Sequence, residues 1–314
     1  VLIVGPNLTL DRTLSLPELR PGEVLRFSKA AITPGGKGVN VARVARSLAL
    51  PAHLVGFAAG RTGRAVAELV ADEDLAQSAV PVGGEVRSSA IVVEEDGRIT
   101  VLNEPGPSIS ESDWERLETA TEERLGDHRI LVCIGSSPPG TPRDGYARLV
   151  ERAHRASVPV LVDAAGDLLA AALEAGPDFV TPNLGEAEGA LEGHSVEETS
   201  ADTPDAPEHA RVAAAALVRR GAGVALVTAG GAGVAVDGSA GAWWIEAPAV
   251  KVVNPIGAGD AFVGGFCGAL ERGAAVREAA TEAVATASAS VETATAGGVD
   301  PVRVRALIDG MHAG

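Results

Sequence analysis

The chain has 314 residues, 46% of them hydrophobic, and a net charge of -16 at neutral pH. That length can bury a large core, either as one α/β domain with an elaboration or as two domains. The acidic balance argues against nucleic acid and anionic membrane as main partners, so a phosphate-bearing ligand must find its positive groups locally.

In chain order, residues 1–4 are a short apolar run ending at Gly5, Pro6 and Asn7. They read as a buried strand with a loop at its C-terminal end. Asn7 and Asp11 follow in that loop; turn chemistry explains such residues as readily as ligand binding does. Residues 23–33 have no helical period and read as strand. Gly35, Gly36, Lys37, Gly38 and Asn40 then lead into Val41, Val44, Ala45 and Leu48 at helical spacing, a glycine-rich entry to a helix. Lys37 is one of three lysines, with Lys29 and Lys251. An ammonium in such a loop suits a phosphate or other anion, and Asn40 can exchange hydrogen bonds with a sugar hydroxyl. This is not a Walker loop, because Ala31 stands where its first glycine belongs and Gly38 where its Ser or Thr belongs.

Residues 53–59 read as a strand and 62–72 as a helix. Residues 87–94 and 98–103 read as two strands joined through Glu95, Asp96 and Gly97. Together with residues 10–33 they predict a small sheet outside the main layers, a lid over the ligand face. Arg87, at its foot, is a candidate for a substrate anion. From residue 110, helices at 110–126, 142–157, 166–175, 184–191 and 207–220 alternate with strands at 130–134, 158–162, 179–181 and 224–228. The alternation predicts an α/β fold: a mostly parallel sheet covered by helices on both faces. Gly135, Asp163, Asn183 and Thr228 each open a polar or glycine-rich strand end, and such ends on one edge mark a ligand crevice. Residues 193–208, polar and acidic, read as a mobile surface loop. Residues 232–237 and 242–246 read as a second hairpin, with Trp243 and Trp244 on opposite faces, one in the core and one near a nucleotide or an interface. Helices at 258–272, 275–292 and 301–312 follow.

Cys133 and Cys267 lie in apolar surroundings and read as reduced core residues of a cytoplasmic protein. No apolar run reaches membrane-spanning length, and the N-terminal residues lack a signal-peptide pattern.

Residues 252–262 carry the strongest chemical signal. Gly257, Ala258 and Gly259 let backbone approach a ligand closely, and residues 261–270 read as a helix. Free N–H groups at a helix start bind anions. The adjacent Asp260 can take a proton from a hydroxyl while those groups hold developing phosphoryl charge. The simplest reaction needing both is phosphoryl transfer to an alcohol. The plain alternative is a glycine-rich loop before a core helix, with Asp260 a first-turn carboxylate. A dinucleotide fingerprint is excluded because Phe262 replaces its last glycine.

Taken together, the stretch from Gly35 to Ala42, the Asn183–Glu186 pair, Thr228 to Gly231 and the stretch from Asn254 to Phe262 resemble the ribokinase-like carbohydrate kinases, the PfkB family. The resemblance covers almost the whole chain. It implies a single domain over 1–314, a three-layer α/β/α fold with a projecting β lid from about 10–33 and 86–104. Asn7, Asp11, Lys37, Arg87, Asn103 and the stretch from Gly135 to Gly140 look most like the branch acting on phosphorylated ketohexoses. The resemblance implies Asp260 as base, with Gly257, Ala258 and Gly259 as anion hole. It implies Asn7, Asp11, Gly35, Gly36, Asn40 and Asn103 on the sugar, and Lys37 and Arg87 on its phosphate. ATP and Mg²⁺ are the implied cosubstrates. Asn183, Glu186, Thr228, Gly230 and Gly233 would line the nucleotide site, Glu186 reaching the metal through water.

The family often has Asp-Thr where Asn254 and Pro255 stand, and often a lysine where Thr181 stands. Fructose 1-phosphate is the first expected acceptor and tagatose 6-phosphate the second. A kinase of an unphosphorylated sugar or nucleoside, and a non-catalytic sugar-phosphate sensor, are the competing readings. Lid sheets have apolar faces that need cover, so a homodimer through the lids is expected.

Overall fold

Short apolar strands buried on both faces build the centre of this protein. A computed structural model describes residues 1–27, 29–193 and 205–313. In chain order the elements are β1 (Leu2–Val4), β2 (Thr9–Leu16), β3 (Lys29–Gly35), α1 (Lys37–Ser47), β4 (His53–Ala59), α2 (Gly60–Asp72), β5 (Ala76–Val82), β6 (Arg87–Glu94) and β7 (Ile99–Asn103). Next come α3 (Glu111–Leu125), β8 (Leu131–Ile134), α4 (Gly145–Arg155), β9 (Val160–Asp163), α5 (Gly166–Glu174), β10 (Phe179–Val180), α6 (Leu184–Glu192) and α7 (Ala206–Arg219). The last are β11 (Val224–Thr228), β12 (Gly233–Gly238), β13 (Gly241–Glu246), α8 (Ala258–Glu271), α9 (Val276–Ser290) and α10 (Pro301–Ala313).

Nine strands form one sheet in the order β13-β12-β11-β10-β9-β8-β1-β4-β5. All pairings are parallel except those of β12, which runs antiparallel to both its neighbours. Because side chains alternate along a strand, Leu2, Val4, Leu131, Cys133, Val160, Val162 and Val227 face one layer, with Trp114, Tyr146 and Leu149 of α3 and α4. Ile3, Val132, Ile134, Leu161 and Leu226 face the other, with Val39 and Val41 of α1 and Phe262 and Phe266 of α8. Both faces are covered, so these strands are apolar throughout, as parallel strands must be. Cys133 and Cys267 are free, buried and in opposite layers.

A second sheet, ordered β3-β2-β6-β7, stands apart from the first. It is mixed: β2 pairs antiparallel with β3 and parallel with β6, and β6 pairs antiparallel with β7. Its register places Thr9 beside Arg87, Asp11 beside Ser89, and Ser89 beside Asn103. Those residues share one face of the sheet.

Four readings of the sequence need correction. The strand expected over 23–33 is confined to Lys29–Gly35, since Pro21 and Gly22 lie in a turn and residues 24–27 belong to no strand. Asp11 lies on β2, not in a loop. The β5 strand went unread because Ala76-Gln-Ser-Ala-Val-Pro-Val has little apolar continuity; it survives as an edge strand, where Pro81 is tolerated. Most of the acidic stretch 193–208 lies outside the described residues, while its end, from Ala206, begins α7. Trp243 and Trp244 do take opposite faces, but both are half-buried and neither is a fully buried core residue. Arg277 lies over the Trp243 ring and Arg211 over that of Trp244, at 6.0 and 5.6 Å.

Candidate active site

Parallel strands present all their C-terminal ends on one edge, and here β1, β8, β9, β10 and β11 deliver Asn7, Ser136, Asp163, Asn183 and Thr228 to it. The second sheet covers this edge. Between them lies a cavity of about 690 Å³ bordered by Asp11, Gly36, Lys37, Asn40, Arg87 and Asn103 on one side. Asn183, Glu186, Thr228, Gly230 and the helix start Gly257, Ala258, Gly259 and Asp260 border the other. An adjoining cavity of about 590 Å³ reaches Asn7, Ser136 and Ser137 past Lys37 and Arg87. A third, of about 290 Å³, is apolar; Gly230, Gly233 and Gly259 border it with Val252, Phe262 and Val284.

The helix starts are built by glycine geometry. Gly257 caps α8 at φ 86°, and Gly36 caps α1 at φ 101°, both in the left-handed region. A Cβ on Gly35 would fall inside the Asp11 carboxylate, so Gly35 makes room for Asp11 instead of lining the cavities itself. A Cβ on Gly259 would meet no protein atom within 4 Å. Its small size therefore serves the open side of the helix start, where free N–H groups favour an anion.

Asp260 is 5% exposed, and Asn40 donates to its Oδ2 from Nδ2 at 2.7 Å. Lys37 lies nearby and donates to Asp163 Oδ1 at 3.0 Å and Glu186 Oε1 at 3.4 Å. Burial opposes the Lys37 charge, but Asp163, Glu186 and Asp260 together overcome it and hold its pKa well above the usual lysine value. Lys37 thus stays an ammonium, shared by carboxylates from β9 and α6. Burial also raises Glu186 above the usual carboxylate range, against the pull of Lys37. Asp163 was noted at a strand end without a role; its other oxygen accepts from Thr181 Oγ1 at 3.1 Å. A carboxylate ending an otherwise apolar buried strand was the signal for it.

Asn183 and Glu186 form a reciprocal cap. Glu186 N–H donates to Asn183 Oδ1 at 2.9 Å, and Asn183 N–H to Glu186 Oε2 at 3.0 Å. The motif thus has a structural task, and it leaves Glu186 Oε1 for Lys37 and the cavity.

On the covering sheet, burial raises the Asp11 pKa, with Thr9, Arg87 and Arg43 acting against it. Burial lowers that of Arg87, with Asp11 opposing. Arg87 donates to the Asn7 carbonyl at 3.3 Å, and Asn7 Nδ2 to Ser136 Oγ at 3.1 Å. Asn7 Oδ1, Asp11 Oδ1, Arg87 Nε and Ser137 Oγ are buried without a protein hydrogen-bond partner. Buried polar atoms in that condition cost stability unless something else satisfies them. Four of them around one cleft are what a polyhydroxylated, anionic ligand would satisfy. Neither tryptophan of the second hairpin borders these three cavities.

The fold and the cleft define a class: an enzyme that transfers a phosphoryl group to an alcohol. The chain belongs to the pfkB family of carbohydrate kinases, whose pattern it matches over residues 7–302. It is 35% identical over 300 residues to the 1-phosphofructokinase of Haloferax volcanii, covering 94% of this chain and 92% of that one. It is 28% identical over 291 residues to the 1-phosphofructokinase of Bacillus subtilis, covering 92% of each. Among solved structures, phosphofructokinase-2 from Escherichia coli in complex with fructose-6-phosphate superposes with a TM-score of 0.86 at 27% identity, over 99% of each chain. A tetrameric inhibited form of the same enzyme superposes equally well, with a TM-score of 0.86. Among the described residues, no helix is long and apolar enough to cross a membrane.

Proposed function

We propose that this protein is an ATP-dependent kinase of a phosphorylated ketohexose, converting fructose 1-phosphate to fructose 1,6-bisphosphate, with tagatose 6-phosphate as the second candidate acceptor. One observation carries the reading. A buried carboxylate, Asp260, sits in the first turn of α8 and opens on the same cavity as Asp11, Arg87 and Lys37.

The residues divide the work. Asp11 and Asn103 of the covering sheet, with Asn7 and Asn40, hold sugar hydroxyls; Arg87 and Ser137 take the phosphate the sugar already carries. Lys37 borders both larger cavities and serves as the cation between the substrate's phosphate and the phosphoryl group in flight. Asp260 accepts the proton of the attacking hydroxyl. The α8 N–H groups at Gly257, Ala258 and Gly259 hold the charge spread over the phosphoryl oxygens. The apolar cavity bordered by Val252 and Phe262 takes the base of the nucleotide, and Thr228, Gly230 and Gly233 lie along its phosphates.

Magnesium bound mostly by nucleotide phosphates and water needs few protein ligands. Glu186 would hold the ion through water, and bound there the ion would neutralise phosphate charge. The whole chain acts as one kinase domain with the second sheet as its lid. Ile32 and Leu102 on that sheet and Phe27 beside it are 50%, 60% and 45% exposed, which suits a homodimer through the lids. Two buried thiols suit a cytoplasmic enzyme.

The test is coupled ADP release with Mg-ATP, comparing fructose 1-phosphate, tagatose 6-phosphate, fructose 6-phosphate, ribose and adenosine. Preference for fructose 1-phosphate is expected. Turnover only with an unphosphorylated acceptor would overturn the phosphate assignment of Arg87 and Lys37.

A further inference from the structure

Arg43 is 6% exposed on α1, one turn beyond the glycine-rich entry. Four hydrogen bonds leave its guanidinium. Nε and Nη2 fork onto the two oxygens of Glu73, each at 2.6 Å. Nη2 also donates to the Pro34 carbonyl at 2.7 Å, and Nη1 donates to Asn40 Oδ1 at 3.2 Å. Asn40 in turn donates from Nδ2 to Asp260. An unbroken line of hydrogen bonds therefore runs from Glu73 at the end of α2, through α1, to the carboxylate at the start of α8.

The chemistry of this line has one direction. An asparagine amide can be turned either way about its last bond, oxygen for nitrogen. Arginine has only donors, and an ionised aspartate only acceptors. With Arg43 on one side, the amide oxygen must face Arg43, and the NH₂ must then face Asp260. Without Arg43 the amide oxygen would lose its anchor, and only the bond to Asp260 would hold the side chain in place. Glu73 holds the fork in place, and Arg46 also donates to the Glu73 carbonyl. An ordinary ion pair joining α1 to α2 would need only the Glu73 bonds; the bonds to Asn40 and to Pro34, at the root of β3, are additional.

We propose that Arg43 is a positioning residue for phosphoryl transfer: locked by Glu73, it fixes the Asn40 amide so that Asn40 presents a donor to Asp260 and holds that carboxylate in its proton-accepting orientation. The inference rests on the reading of Asp260 as the base. Arg43 itself borders none of the three cavities.

The experiment is a double-mutant cycle on turnover with the best acceptor of the sugar panel. Arg43→Lys keeps a cation for Glu73 but cannot span Glu73, Pro34 and Asn40 at once. The expected loss in kcat is about 10-fold or more, within the ~10²–10⁴-fold that general base catalysis supplies. KM for ATP should stay within about 3-fold, because a group acting only on the base leaves ground-state binding alone. In an Asn40→Ala background the same substitution should change kcat by less than about 2-fold, since groups acting through one another are non-additive. Glu73→Gln, which loosens the fork while keeping the guanidinium, should repeat the pattern and serves if Arg43→Lys does not fold. Losses that multiply in the double variant, or a lowered melting temperature with kcat intact, would overturn the inference. Asp260→Asn is the control. If it retains turnover, the assignment of the base fails; if it loses turnover while Arg43→Lys and Glu73→Gln do not, only the role of Arg43 fails.

Discussion

Lys37→Met tests whether a single ammonium holds the two carboxylates of this cleft together. In the native protein Lys37 lies between Asp163, whose side chain is 5% exposed, and Glu186, at 10%. Methionine keeps the length and apolar stem but leaves two buried carboxylates facing each other. Removing one partner of a buried ion pair costs about 3–5 kcal/mol. The Lys37 side chain is 32% exposed, so the lower end, about 3 kcal/mol, is the expectation. At ~2.1 cal/mol/K per residue, a chain of this length unfolds with an entropy near ~0.66 kcal/mol/K, so Tm should fall by about 5 °C.

The sign of the pH dependence follows from the carboxylates. Glu186 already sits above its ordinary value through burial, and losing Lys37 removes the effect that opposes burial. A carboxylate raised in the folded state stabilises most below its unfolded pKa and loses that contribution as pH rises through the folded one. The deficit of Lys37→Met should therefore be largest near pH 8 and shrink toward pH 5. Lys37 itself, raised well above 10.5, stays charged across that window and adds no slope. Differential scanning calorimetry of both proteins from pH 5 to 8 measures this. A deficit that stays constant with pH, or no deficit at pH 8, would refute the pairing.

Asp260→Asn should lose at least ~10²-fold in turnover, as loss of a general base does, while titration calorimetry still records nucleotide binding; near-native turnover would remove Asp260 from the reaction. Gly259→Ala adds a methyl that meets no protein atom, so Tm should hold or rise slightly while KM for ATP or kcat worsens, and unchanged kinetics would mean the helix start holds no phosphoryl group. Gly35→Ala drives a methyl into the Asp11 carboxylate, so KM for the sugar phosphate should rise well beyond any change in KM for ATP; equal changes would argue against Asp11 as a sugar ligand.

The sequence by itself determined the class of fold and picked out the helix start to which the chemistry is assigned in our proposal. Apolar runs alternating with 3.6-period segments admit few architectures besides a covered parallel sheet. Gly257 to Asp260 is a local signal, legible because loop, cap and carboxylate are contiguous. The short polar β5 escaped because an edge strand needs no apolar run, and the strand at 23–33 was misplaced because a turn and a strand there share composition. Tertiary structure alone decided what each charge faces. Lys37 and Asp163 are 126 residues apart and Asn40 and Asp260 are 220 apart, separations at which no pattern in the chain fixes a partner. Read singly, Asp163, Arg43 and Glu73 look like ordinary polar residues. Only the sheet edge, which gathers distant strand ends and helix starts into one partly buried space, turns them into a linked set, because there an unpaired charge is costly and each must find its opposite.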